Sequence, residues 1–139
     1  MGRRQARETA MTILYCHEER GGQLPPVLDE FLDSRANPPE DQAFVRALVN
    51  TTIEHQEDID RQIIQVLKNW EYQRVSLVDK IILRVGACEI LYFDDIPFQV
   101  AINEAIEIGK KFGGEDSGKF INGILDAIAA AAGKVRTNA

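Results

Sequence analysis

Residues 76–112 read SLVDKIILRVGACEILYFDDIPFQVAINEAIEIGKKF. Apolar side chains recur here every three or four positions rather than every second one, which is the period of a helix and not of a strand. Ser76-Leu77-Val78-Asp79 opens the run as a capping box: the serine oxygen accepts from the amide three residues on, and the acid reaches back. Val78, Ile81, Ile82, Val85, Cys88 and Tyr92 then make one buried stripe. Pro97 ends the connection, and a second helix runs from Val100 to Phe112 with Ala101, Ala105, Ile108 and Phe112 inward. Glu107 and Lys111 stand at i,i+4 for an exposed ion pair, and Gly113-Gly114 stops the helix.

The same period extends in both directions. Residues 3–20 place Ala6, Ala10, Ile13, Leu14 and His17 at helical spacing before Gly21-Gly22. Pro25-Pro26 starts a short helix carrying Val27, Leu28, Phe31 and Leu32, which Asn37-Pro38-Pro39 breaks. Glu40 and Asp41 favour a new start, and Phe44, Val45, Leu48, Val49, Thr52 and Ile53 carry that helix to about His55. Ile59, Ile63, Leu67 and Trp70 mark a further helix, joined by a bend near Glu57-Asp58 that periodicity does not locate. Asp116 or Ser117 caps the last helix, which runs through Phe120, Ile121, Ile124, Leu125 and Ile128 into a run of alanines. No alternating strand pattern competes. The expectation is an all-α chain of about seven helices with short connections.

With 139 residues, 45% of them hydrophobic and 27% charged, the chain has the size and balance of one globular domain. No metal or cofactor is needed to hold it. Its two cysteines, Cys16 and Cys88, form no C-x-x-C pair or His/Cys ligand cluster, and reduced thiols fit a cytoplasmic protein. No apolar run approaches the ~18 residues that cross a bilayer. The net charge of −6 is unevenly spread. Residues 1–7 form a basic arm with Arg3, Arg4 and Arg7 and no acid, whereas residues 29–60 are strongly acidic; residues 133–139 form a C-terminal tail. One end attracts phosphate and the middle repels it.

GGEDSGKF, residues 113–120, is one substitution from the phosphate-binding pattern G-x-x-x-x-G-K-[ST], with Phe120 where the hydroxyl belongs. A working P-loop follows a strand. This one follows a helix, and it would put Glu115 and Asp116 inside the anion cradle. A glycine stop followed by a helix start explains it better, and leaves Lys119 and Phe120 in a first turn where free amides assist an anion. That arrangement suits a nucleic-acid backbone better than ATP. Arg3 and Arg7 share a helical edge, so their guanidinium forks can grip successive phosphates.

Glu89 falls within the apolar stripe of its helix, where a carboxylate needs partners. Without a matched base or metal it makes a poor catalyst. Amides of a neighbouring helix, or Asn103, are the expected hydrogen-bond partners, and the expected role is structural. His17 and His55 are isolated, both cysteines are expected to be buried thiols, and no catalytic set is found.

Taken in order, R-x-x-A-R-E-x-A-x-x-x-L-Y from Arg3 to Tyr15, NW at 69–70, D-K-I-I-L-R at 79–84, E-I-L-Y at 89–92, I-P at 96–97, V-A-I-N-E-A-I-E at 100–107 and K-F-I-N-G-I-L-D at 119–126 resemble the NusB transcription antitermination proteins over nearly the full length. The resemblance implies two small helical bundles packed across one another, and a factor without enzymatic chemistry. Such factors bind the boxA element of nascent RNA together with NusE, which is also a small-subunit ribosomal protein. They join other Nus factors on RNA polymerase and suppress premature termination, notably in ribosomal RNA synthesis. Monomers and dimers both occur in the family, so a homodimer stays open here, as does the face that meets NusE.

Carried over by position, the resemblance assigns RNA contacts to Arg3, Arg4 and Arg7, and to Asp116, Lys119 and Phe120, with the surface near Lys80 and Gln99 added to them. Gln5 and Gln99 stand where relatives can carry basic residues, so weak RNA affinity without the partner protein is expected. The same fold serves as the RNA-binding accessory domain of rRNA cytosine methyltransferases. Those enzymes continue into a catalytic domain, and the chain's end at Ala139 favours the factor. A protein-binding scaffold is the third alternative.

Overall fold

A computed structural model describes residues 3–21, 39–68 and 71–134. Among them lie six α-helices: α1 (Arg3–Glu19), α2 (Pro39–Glu54), α3 (Gln56–Val66), α4 (Leu77–Tyr92), α5 (Phe98–Phe112) and α6 (Ser117–Ala131), with a short 3₁₀ turn at Tyr72–Arg74. The helix expected after Pro25-Pro26, and Trp70, lie outside the described residues.

The chain is all-α, as its period requires. α1 pairs with α2, α4 to α6 form a three-helix group, and α3 rests on α4 and α6. α4 is the axis on which both groups pack. Every residue from Ile81 to Ile90 is buried, so α4 has no polar face where one buried stripe was expected. At Gly86 the absence of a side chain is required, because a Cβ there would lie 2.7 Å from Leu125 Cδ1 and 3.5 Å from Ala105 Cβ. α5 and α6 thus meet α4 at one point.

Ser76 Oγ accepts from the Asp79 amide at 3.2 Å, which is the expected cap of α4. The Asp79 carboxylate, however, accepts from Ser117 Oγ at 3.1 Å and so ties the start of α4 to the start of α6. Ser117 Oγ also accepts from the Gly114 amide at 2.8 Å. Asp116 stands at the N-cap of α6 but makes no capping bond with its side chain, contrary to expectation. Its backbone lies outside the extended region that aims a capping carboxylate at the helix amides, at φ −99° and ψ 5°.

The joint between α2 and α3 falls at His55, two residues earlier than the expected bend. The His55 ring stacks on Tyr92 with 4.0 Å between centroids, and Tyr92 Oη donates to Asp58 Oδ2 at 2.6 Å. That hydroxyl is the chief reason the Asp58 carboxyl is held below the usual carboxylate range. A depressed folded-state pKa contributes stability above the unfolded value and loses it as pH falls through the folded one. Tyr92→Phe is therefore expected to raise the Asp58 pKa toward its ordinary 3.8 and to weaken the acid sensitivity of the α3–α4 contact. An NMR titration of the Asp58 carboxyl tests this, and an unmoved midpoint would count against it.

Arg84, almost fully buried, donates to both oxygens of Asp60 at 2.8 and 3.2 Å, and Tyr72 Oη donates to Asp60 Oδ1 at 2.7 Å. The middle of α3 is thereby fixed to α4. Burial pushes the Cys88 thiol up to about 12, so it stays protonated at neutral pH, as a buried thiol should. Cys16 is half-buried rather than buried. Among the described residues no helix is long and apolar enough to cross a membrane.

Candidate nucleic-acid interface

The first turn of α1 exposes Arg3 and Arg4 but not Arg7. The Arg7 guanidinium turns inward onto Glu89 of α4, with Nε 2.9 and 3.0 Å from the two carboxylate oxygens and a terminal nitrogen 2.7 Å from Oε1. The two side chains are 3% and 1% exposed, respectively. Arg7 is thus withdrawn from the surface on which it was expected to grip phosphate. Glu89 finds neither helix amides nor Asn103, which is exposed, but an arginine 82 positions away. A signal for this pair existed. Arg7 shares its spacing with Met11 and Leu14, so α1 carries a positive charge in its buried stripe where α4 carries the negative Glu89.

Arg3 and Arg7 do share an edge, as their spacing requires: both guanidinium groups lie over the Phe44 ring, 4.5 and 5.5 Å from its centroid. Arg4, one position on from Arg3, reaches α5 instead and donates to Glu104 Oε2 at 2.6 Å. α1 and α5 meet again further down this seam, where Lys111 Nζ donates to Glu8 at 2.8 Å. The expected Glu107–Lys111 pair is therefore not formed. Glu107 accepts from Lys110 at 3.5 Å, because α1 supplies Lys111 with a shorter contact.

On the other side of α5 lies the start of α6. Gly118 packs where a Cβ would come 3.3 Å from the Lys110 stem, and Gly109 packs against Ser117 and Ile121. Lys119 is exposed there, and Asp116 is exposed beside it. Phe120 is half-buried and packed against the core, rather than presented wholly to solvent. It lines a cleft with Arg74, Ser76, Asp79 and Ser117, in which the Asp79 Oδ1 atom is buried without a hydrogen-bond partner. Lys80, in the first turn of α4, holds its ammonium 5.0 Å from the Tyr72 ring centroid. Gln99 is half-buried in the first turn of α5.

Five of the eight expected residues thus fall into two groups. Arg3 and Arg4 lie on the α1 side of α5, while Asp116, Lys119 and Phe120 lie on its α6 side. The strip of α5 between them exposes Asn103, Glu107 and Lys110. A helix is about 10 Å across with its side chains, a distance that an extended nucleic-acid strand crosses easily. Guanidinium and ammonium groups are chemically able to hold phosphates, and an aromatic face is able to stack on an unpaired base.

Beside the α1–α5 seam runs an apolar groove lined by Met11, Tyr15, Val78, Ile81, Ile108 and Phe112. Sequence reasoning missed it. Phe112 was expected inward but is 53% exposed, and Tyr15 is 40% exposed. Phe112 sits in the last turn of α5, beyond the reach of the core that buries Ile108 one turn earlier.

Comparison with known proteins gives the same architecture a lineage. The NusB family model matches residues 4–130. The transcription antitermination protein NusB of Geobacter sulfurreducens is 45% identical over 92% of this chain and 94% of its own. That of Bacillus mycoides is 46% identical over 92% of this chain and 97% of its own. A solved structure of T. maritima NusB superposes with a TM-score of 0.86 at 39% identity, covering 94% of this chain and 92% of that one. A crystal structure of the antitermination factors NusB and NusE in complex with dsRNA superposes with a TM-score of 0.83 at 28% identity, covering 94% of this chain and 99% of that one. By the reach of the family match and the identity to these relatives, the chain belongs to the NusB family.

Proposed function

We propose that this chain is a non-enzymatic transcription antitermination factor of the cytoplasm. It binds boxA-type RNA together with NusE, joins the other Nus factors on RNA polymerase, and supports ribosomal RNA transcription. The observation that carries the reading is that the two helices packed on α5 expose cations at their starts, Arg3 and Arg4 on α1 and Lys119 on α6, with the half-buried Phe120 ring beside Lys119. The names of the relatives and the NusB–NusE–RNA complex of a structural neighbour support it. The groove around Tyr15 and Phe112 is the face we assign to the partner protein: it exposes large apolar side chains, and the Glu8–Lys111 pair at its edge continues into the RNA face.

Fluorescence anisotropy with a labelled boxA-type RNA, with and without NusE, tests the reading. Weak binding alone and tighter binding with NusE are expected. No binding in either condition would leave a protein-binding scaffold. Asp116 adds one prediction. Its carboxylate is exposed, makes no capping bond and lies in the same helix start as the exposed Lys119. Asp116→Asn is therefore expected to leave stability nearly unchanged and to tighten RNA binding a few-fold by removing repulsion. An affinity that falls or stays level would contradict it.

A further inference from the structure

The cations beside α5 are not idle before RNA arrives. Arg4 pairs with Glu104, Lys111 with Glu8 and Lys110 with Glu107, at 2.6, 2.8 and 3.5 Å. In the shortest of these pairs the carboxylate also has a second cation beside it. Arg4 is 53% exposed on a flexible stem, whereas Glu104 is 20% exposed and has a second cation behind it, Arg7, at 3.8 Å. Arg7 is itself locked to Glu89 inside the core. The carboxylate is thus anchored and the arginine is free to swing. A carboxylate and a phosphate both accept from a guanidinium, so the two acceptors compete for Arg4, which meets Glu104 through Nε.

We infer that Glu104 acts as a built-in stand-in for an RNA phosphate: it holds Arg4 in the free protein, and RNA must take Arg4 from it. This rests on the RNA-binding reading above and deepens it, because it names the residue that sets how weakly the factor binds alone. When Arg4 leaves, Glu104 keeps Arg7 beside it and is not stranded, which makes the exchange affordable. Glu104, chiefly through its hydrogen bond, also holds the Arg4 guanidinium pKa above its ordinary value, and Glu107 and Glu8 add to that field. Glu107 and Glu8 restrain their lysines in the same manner.

The test is a titration of labelled boxA-type RNA at several salt concentrations against the wild type, Glu104→Gln, Arg4→Ala and the double variant, with and without NusE. Glu104→Gln is expected to bind roughly two- to fivefold tighter, the scale of releasing one exposed ion pair. Its salt dependence should steepen by about 0.7 in log–log slope, one more phosphate contact on a single strand. In the Arg4→Ala background the same substitution should change little. Glu104→Ala, which removes the acceptor altogether, should reproduce the tightening by a second route, and thermal unfolding of each variant establishes that it is folded. Wild-type binding with no tightening in either Glu104 variant would overturn the inference alone. So would equal tightening in the Arg4→Ala background, since Glu104 would then act by general repulsion. Absence of RNA binding by every variant, NusE included, would overturn the inference and the functional reading together.

Discussion

Arg7→Ala is expected to remove about 3–5 kcal/mol of folding stability, the cost of leaving a buried charge without its partner. Glu89 would remain 1% exposed, on a helix with no polar face and no route for the carboxylate to water. The Glu104 carboxylate nearby would make matters worse, because its negative field already pushes Glu89 upward. Burial is the largest influence on Glu89 and raises its pKa, while the hydrogen bonds from Arg7 pull it down; the net displacement is upward. A group with a raised folded-state pKa favours the fold below its unfolded pKa and loses that contribution as pH rises through the folded value. Removing Arg7 removes the opposing pull and raises the folded pKa further. The deficit of Arg7→Ala should therefore be largest at neutral pH and shrink on acidification. Equilibrium urea unfolding at several pH values measures this. A loss below about 1 kcal/mol at neutral pH would mean that the pair is not the internal strut described here. Replacing both residues together, as in Arg7→Met with Glu89→Leu, should recover most of the loss, because two apolar side chains of similar volume carry no desolvation penalty.

The reassignment of Arg7 shows what was legible in the chain and what was not. Helices could be read from the period, and the start of α4 from Ser76, because both depend on neighbours a turn apart. The partner of Glu89 could not be read in the same way, because it lies on another helix 82 positions earlier. What could be read was the need: a carboxylate in an apolar stripe demands an opposite charge. Arg7 was the matching anomaly, masked by the exposed arginines beside it. The same limit explains α4, whose stripe was visible but whose burial on every side depends on how many helices surround it. It explains Phe112 and Phe120 too. Both fall on apolar positions of their helices, but exposure at a helix end depends on where the core stops. GGEDSGKF proved to be two helix ends meeting, with Ser117 rather than Asp116 making the bond that joins them.

Phe120→Ala is expected to lower RNA affinity by about 1–3 kcal/mol, or roughly five- to 150-fold, if its ring stacks on one base. The half-buried position complicates the measurement in a useful way. Part of the ring packs against the core, so alanine also removes apolar contact and lowers stability modestly. Phe120→Leu separates the two contributions. Leucine fills much of the same space and should keep the helix in place, but it has no π face and should lose affinity nearly as alanine does. Phe120→Tyr keeps the face and should bind close to wild type. Lys119→Ala, by contrast, should weaken binding uniformly across RNA sequences and flatten the salt dependence by about 0.7 in slope, since an ammonium reads charge and not base. The contrast between the neighbours is what distinguishes stacking from simple attraction. If Phe120→Leu binds RNA as the wild type does, the ring serves packing only. The α6 side of the interface would then hold RNA by Lys119 and the helix amides alone, with little means of recognising a base.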